Sequence, residues 1–179
     1  MTTLRQLHSW LRANDSCPVA LLDPEAEELV AGKAVTAVRL TGPLSEVPRH
    51  EILEALNLGA TLLYLHGDQG PLSSLVEMLT SIGIDRVQDG QPEVKPREIF
   101  SSEDVPHARR DLFGLGHSAL ELPDEDMLPE DRERLALATL LKTENVPSSA
   151  LAEQPSHGLS LQTAGCTACG VCVKACPTD

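Results

Sequence analysis

Between residues 19 and 88, short apolar runs alternate with stretches of helical period, and this alternation limits the fold more than any other feature. The runs at 19–22, 35–40, 61–65 and 84–88 have strand length. The segment from 24 to about 32 reads as a helix, with Asp23 as its cap, Pro24 at the first helical position and acids in the first turn. A second helix at 48–58 turns Ile52, Leu53 and Leu56 inward and stops at Gly59. Pro71 opens a third, whose stripe of Leu72, Leu75, Val76 and Leu79 follows the i, i+3, i+4, i+7 pattern and which Gly83 closes. Strand and helix in alternation predict a parallel sheet with right-handed crossovers. The two central runs, 35–40 and 61–65, are nearly continuous in apolar character, as expected of strands covered on both faces. Residues 1–90 are therefore expected to form a small three-layer α/β domain. A short helix at 2–13, capped by Thr2 or Thr3, leads into it with Leu4, Leu7 and Leu11 on one face.

Beyond residue 90 the pattern weakens. Residues 91–106 carry Pro92, Pro96 and Pro106 without periodicity and read as irregular. A short helix is expected at 107–115, ending at Gly114 or Gly116. The acid-rich stretch 121–133 reads as a solvated loop leading into a helix that begins at Pro129-Glu130-Asp131 and runs to about Thr143. That helix is expected to place Leu135, Ala138 and Leu141 on one face, with Lys142 in its last turn. Residues 91–143 thus form an irregular and helical extension. Residues 144–158, rich in Pro, Ser and Gly, read as a linker before a last segment at 159–179. There is no internal repeat.

That last segment holds the chemistry. Four of the five cysteines, Cys166, Cys169, Cys172 and Cys176, fall within eleven positions and are followed by Pro177. The two-residue gaps let one tight loop present three thiolates to different metal atoms. Gly170 leaves room where backbone approaches inorganic sulfide, and Pro177 fixes φ after the last cysteine. Zinc sites use two separated C-x2-C pairs, or Cys with His at wider spacing. A disulfide needs an oxidising compartment, of which the sequence shows no sign. The spacing C-x2-C-x2-C-x3-C-P is that of a cubane iron–sulfur loop, in which soft thiolates hold iron. The expected cofactor is [4Fe–4S], with Cys166, Cys169, Cys172 and Cys176 as metal ligands.

On these residues the segment 159–179 resembles the opening of a bacterial ferredoxin with two [4Fe–4S] clusters. The resemblance implies that Cys166, Cys169 and Cys172 share one cluster and that Cys176 reaches toward a second. It also implies a strand at 159–162 that pairs with the far end of the module. In that family a second C-x2-C-x2-C-x3-C-P run follows, so the resemblance implies a natural chain that extends past Asp179 and carries two clusters. Within the sequence in hand the fourth ligand of the first cluster stays open between Cys17 and a thiolate from a partner subunit. Cys17 otherwise reads as a small apolar residue packed beside a strand.

Residues 35–88 are similar to the delta-type small subunit of hydrogenases linked to heterodisulfide reductase. The likeness rests on Glu51-Ile52-Leu53-Glu54-Ala55-Leu56, on Gly59-Ala60, and on an apolar strand followed by Gly67-Asp68. That family carries cysteines in its strand-end loops for a [2Fe–2S] centre. Residues 35–88 contain none, so the resemblance implies fold and docking role without that cluster.

The net charge of −13, from 27 acids against 14 Lys and Arg, argues against nucleic acid, whose phosphates require basic contacts. It suits docking on a basic patch of a redox partner, and it equally serves to keep a chain in solution. Residues 1–14 contain no apolar h-region, and no apolar run approaches the length of a membrane span. The expected location is the cytoplasm. In an open parallel sheet ligands bind beyond the carboxyl ends of the strands. Two loops qualify, Thr41-Gly42-Pro43 and His66-Gly67-Asp68-Gln69-Gly70, and the second precedes a helix N-terminus suited to an anion. Neither carries a glycine-rich nucleotide motif, and both read as ordinary turns. The six His residues are scattered, with His66 and His117 beside glycines. No nucleophile elbow or carboxylate pair stands out, and Asp124-Glu125-Asp126 reads as a solvated loop.

The expected function is that of an iron–sulfur electron carrier, or an electron-transfer subunit of a larger oxidoreductase, rather than of an enzyme in its own right. A structural or redox-sensing iron–sulfur protein is the alternative from another class. In a third, the α/β domain is an enzyme that uses the cluster as its wire.

Overall fold

A five-stranded parallel sheet forms the centre of the computed structural model, which describes residues 4–14, 16–26, 35–90, 98–103 and 126–146. Its strands are β1 (Cys17–Leu22), β2 (Thr36–Arg39), β3 (Ala60–His66), β4 (Val87–Asp89) and β5 (Glu98–Ser101). They lie in the order β4-β3-β1-β2-β5, and every neighbouring pair is parallel. The described helices are α1 (Arg5–Ala13), α2 (Arg49–Asn57), α3 (Leu72–Ser81) and α4 (Pro129–Thr143). The fold is mixed α/β, as the alternation of strand and helix predicts.

Successive side chains of a strand point to opposite faces. Val19 and Leu21 of β1 join the main core, with leucines from all four helices packed on the same side. Ala20 and Leu22, one position out of phase, belong to a second buried cluster with Val35 and Ala37. Both faces of β1 are therefore buried from Val19 to Leu22, which is why that run lacks a polar alternate. On α1, Leu4, Leu7 and Leu11 are 0 to 2% exposed, so the predicted stripe is the buried one. Each such leucine contributes about 1.5–3 kcal/mol.

Pro18 stands inside β1, in the middle of the sheet. Proline has no N–H for the ladder and is confined to edges, strand starts or bulges. The register against β3 shifts between Cys17 and Pro18, so the missing donor falls at an irregularity. Arg86, just before β4, ties three elements together. Its Nη2 donates to the carbonyls of Leu56 (3.0 Å) and Ala60 (2.6 Å), and its Nε to that of Thr61 (3.3 Å). The same guanidinium pairs with Glu144, directly after α4.

Two readings of the sequence are corrected. Residues 91–106 are not wholly irregular, because 98–101 form β5 and pair with β2 from Thr36↔Glu98 to Arg39↔Ser101. Four residues flanked by prolines carry too little periodicity to be read as a strand; the pairing partner makes them one. Helix α4 has the predicted limits, with Pro129 in its first turn, but a rotated face. Ala136, Leu140 and Leu141 are buried, whereas Leu135 is 46% exposed and Ala138 is exposed. Polar contacts to α2, described below, set that rotation.

The segment read as a helix from Asp23 begins as a turn, in which the Ala26 N–H donates to the Asp23 carbonyl (3.0 Å). Residues 27–34 lie outside the described residues. So do the proposed Thr2 or Thr3 cap, the helix at 107–115, the linker after Val146 and the strand at 159–162.

Candidate functional site

Cys166, Cys169, Cys172 and Cys176 lie outside the described residues. Cys17 is described. It opens β1, is half-buried and packs against the main core. Its Sγ lies 3.9 Å from Thr36 Oγ1. Burial pushes the thiol pKa above its ordinary value, and the Thr36 contact offsets this only in part. A metal needs the thiolate, and this environment disfavours it. Among the described residues no group of three or more His, Cys, Asp or Glu side chains is placed to hold a metal.

The strand order reverses between β1 and β3, where an open parallel sheet would take a ligand. Here the residues after β1 and after β3 contact each other. The Asp23 N–H donates to the His66 carbonyl (2.9 Å). Gly67, at φ +146°, lies so close to Asp23 that a Cβ on it would be 2.5 Å from the Asp23 Cβ. A Cβ on Gly70 would be 2.7 Å from the Ser45 Cβ. Arg39 Nη1 donates to the carbonyls of Pro24 and Ala26 (3.0 Å each) and holds the 23–26 turn over the strand ends. At the start of α3, Asp68 Oδ1 accepts from the Gly70 N–H (3.2 Å). A carboxylate of the chain thus stands where a helix N-terminus would otherwise favour an anion.

The structure brings together a group that residue patterns did not reveal. His8 of α1 and His50, Glu51 and Glu54 of α2 are 2 to 6% exposed at one helical junction, beside Arg132 of α4. Arg132 donates from Nε to Glu54 Oε1 (3.0 Å) and from Nη2 to Glu54 Oε2 (2.8 Å). His8 Nε2 lies 3.0 Å from the Glu51 carbonyl, and its Nδ1 lies 3.7 Å from Glu54 Oε2. The Glu51 carboxyl accepts from the Leu4 N–H and so satisfies an amide at the start of α1.

Burial dominates the electrostatics here. It pushes Glu51 up to about 7, against the favourable Leu4 bond and with added repulsion from Glu54. It raises Glu54 despite the Arg132 hydrogen bond. It holds His8 at about 4, opposed by the bond to Glu51, and His50 at about 4, aided by the Arg132 charge. At such low exposure the cluster is closed to a substrate; it holds helices and protons. One sequence signal was available: His8 falls on the Leu4, Leu7, Leu11 stripe, so a polar residue stands where the period demands a buried one. His66, at the end of β3, is half-buried, and His117 lies outside the described residues.

No protein-family model, no curated protein and no solved structure matches this chain.

Proposed function

We propose that this chain is an iron–sulfur electron-transfer protein, in which a three-layer α/β unit carries a ferredoxin-type module. It acts in the cytoplasm as a carrier, or as a subunit serving a larger oxidoreductase. One observation carries this reading: Cys166, Cys169, Cys172 and Cys176 stand in the spacing C-x2-C-x2-C-x3-C-P. Four soft thiolates in one loop fit iron and sulfide, and a bound [4Fe–4S] cluster supplies one-electron transfer. Gly170 leaves room for the sulfide, and Pro177 directs the chain away after the last ligand. The charge of −13 favours a partner that presents a basic patch. No helix among the described residues is long and apolar enough to cross a membrane.

Anaerobic reconstitution with iron and sulfide tests the reading. It should yield about four irons per cluster and broad visible absorption that dithionite bleaches. Serine in place of Cys166, Cys169 or Cys172 should abolish both. One tightly bound zinc and no iron would sink the proposal. Reversible one-electron reduction with the fold retained marks a carrier. A cluster lost on the first redox cycle marks a sensor or a structural staple.

A further inference from the structure

His8 and Arg132 converge on one oxygen. Glu54 Oε2 is 2.8 Å from Arg132 Nη2 and 3.7 Å from His8 Nδ1. His8 Nε2 faces the Glu51 carbonyl at 3.0 Å. A carbonyl only accepts, so Nε2 carries the proton of the neutral ring and Nδ1 is bare. Nδ1 then faces a carboxylate oxygen without a hydrogen to offer it. A second proton would turn Nδ1 into a donor aimed at Oε2, in competition with the guanidinium.

The three side chains come from three helices that meet at this junction. Helix α1 buries Leu4, Leu7 and Leu11 almost completely. Helix α4 rests on α2 through Ala136, Leu140 and Leu141, a bond from Asn57 Nδ2 to the Ala136 carbonyl (2.8 Å) and the Arg49–Glu133 pair (3.2 Å). The bidentate Arg132–Glu54 contact ties its first half to α2, and Glu144, directly after it, pairs with Arg86. We propose that this junction is a proton-operated clasp: a proton on His8 Nδ1 draws Glu54 Oε2 from Arg132 and releases α4 from α2, while α1 and the sheet stay folded.

The charged groups around the site fix the direction. From α1 these are Arg5 and Arg12; from α2, Arg49, His50, Glu51 and Glu54; from α4, Arg132 and Glu133. With α4 in place, burial chiefly holds His8 at about 4, and the charges of Arg132, His50 and Arg12 add to it. Departure of α4 relieves burial, removes Arg132 and leaves Glu54 as an unshared partner. The ring then binds a proton more readily in the released state. Linkage favours release as pH falls from the ordinary histidine value of 6.5 toward 4. His50, held low by burial and by Arg132, acts in the same direction. Glu51 and Glu54, pushed up by burial, act against it and limit its size.

Amide exchange on the full chain tests the clasp, with protection factors compared from about pH 7 to about pH 4.5. Protection in α4 should fall roughly tenfold or more relative to β1 and β3. In His8→Gln, whose side chain cannot gain charge, α4 should stay protected across the range. Loss of α4 protection in step with β1 and β3 would overturn the proposal, as would an unchanged α4 loss in His8→Gln. A second reading needs no variant, since the NMR shift of the His8 ring in the unaltered protein reports its own protonation. Its midpoint should coincide with the release of α4. A ring still neutral after α4 has let go, or protonated with α4 still protected, would overturn the proposal too.

Discussion

Arg132 donates two parallel hydrogen bonds to Glu54, at 3.0 and 2.8 Å, across 78 residues of chain. The fork geometry sets orientation as well as attraction. It turns α4 so that Ala136, Leu140 and Leu141 face α2, and Leu135 is left outside. Glu54 is 2% exposed, and among the described residues Arg132 is the guanidinium that compensates its charge.

Removing one partner should therefore cost more than removing both. Arg132→Ala leaves a buried carboxylate unpaired and should destabilise by about 3–5 kcal/mol. The double variant Glu54→Leu with Arg132→Leu replaces the pair by apolar volume and should lie within about 1 kcal/mol of the parent. Urea midpoints at constant m-value give both numbers. A double variant as unstable as Arg132→Ala would show that the pair itself stabilises α4.

The same junction sets a pH dependence whose sign differs between its members. Burial holds His8 and His50 at about 4, below the ordinary 6.5. Their contribution is complete above 6.5 and is lost as pH falls toward 4. Glu51 stands at about 7, above the ordinary 4.5. Its contribution is complete below 4.5 and is lost as pH rises through 7. Glu51→Gln should thus match the parent near pH 4.5 and become progressively more stable than it up to about pH 8. Thermal midpoints of the two proteins across that range check the sign. A gap that widens toward acid would contradict it.

What was legible in the sequence was what repeats locally. The stripe Leu72, Leu75, Leu79 and the runs that became β1, β2 and β3 announce themselves by period, because one face of a helix or both faces of a strand must be apolar. The limits of α4 were readable from Pro129 and Lys142, yet its face was not. That face is chosen by Glu54 and Asn57, residues of another helix. Strand β5 was hidden for a related reason: Glu98–Ser101 is a strand because β2 lies beside it. The candidate ligands Cys166, Cys169, Cys172 and Cys176 stand out by their spacing along the chain alone. The His8, Glu51 and Glu54 cluster has no such spacing, since it is assembled by packing.

Gly67 marks where the two halves of the sheet meet, and replacing it should be costly. Its φ of +146° disfavours any side chain, and a Cβ would overlap the Asp23 Cβ at 2.5 Å. Gly67→Ala should destabilise by about 2–4 kcal/mol, from backbone strain and steric overlap together. Adding Asp23→Gly relieves the overlap and leaves the strain, so the double variant should recover part of the loss. Denaturant midpoints measure this recovery. Its absence would place the whole cost in the backbone.

Cys17 decides how the ligand arithmetic of the proposed cluster closes. Three thiolates from one loop require a fourth, and Cys17 is the cysteine outside the run. Its surroundings speak for packing. It begins a central strand, contacts the main core, lies near Thr36 Oγ1, and is held toward the neutral thiol by burial. Recruiting it as a ligand would require ionising a half-buried sulfur and opening the β1–β2 contact. Cys17→Ala should therefore leave the iron content of reconstituted protein unchanged and lower stability by about 1 kcal/mol, the scale for a small group removed from a packed site. Iron analysis beside circular dichroism separates the two effects. Loss of iron with the fold intact would make Cys17 a ligand; unaltered iron would leave the fourth thiolate to a partner subunit.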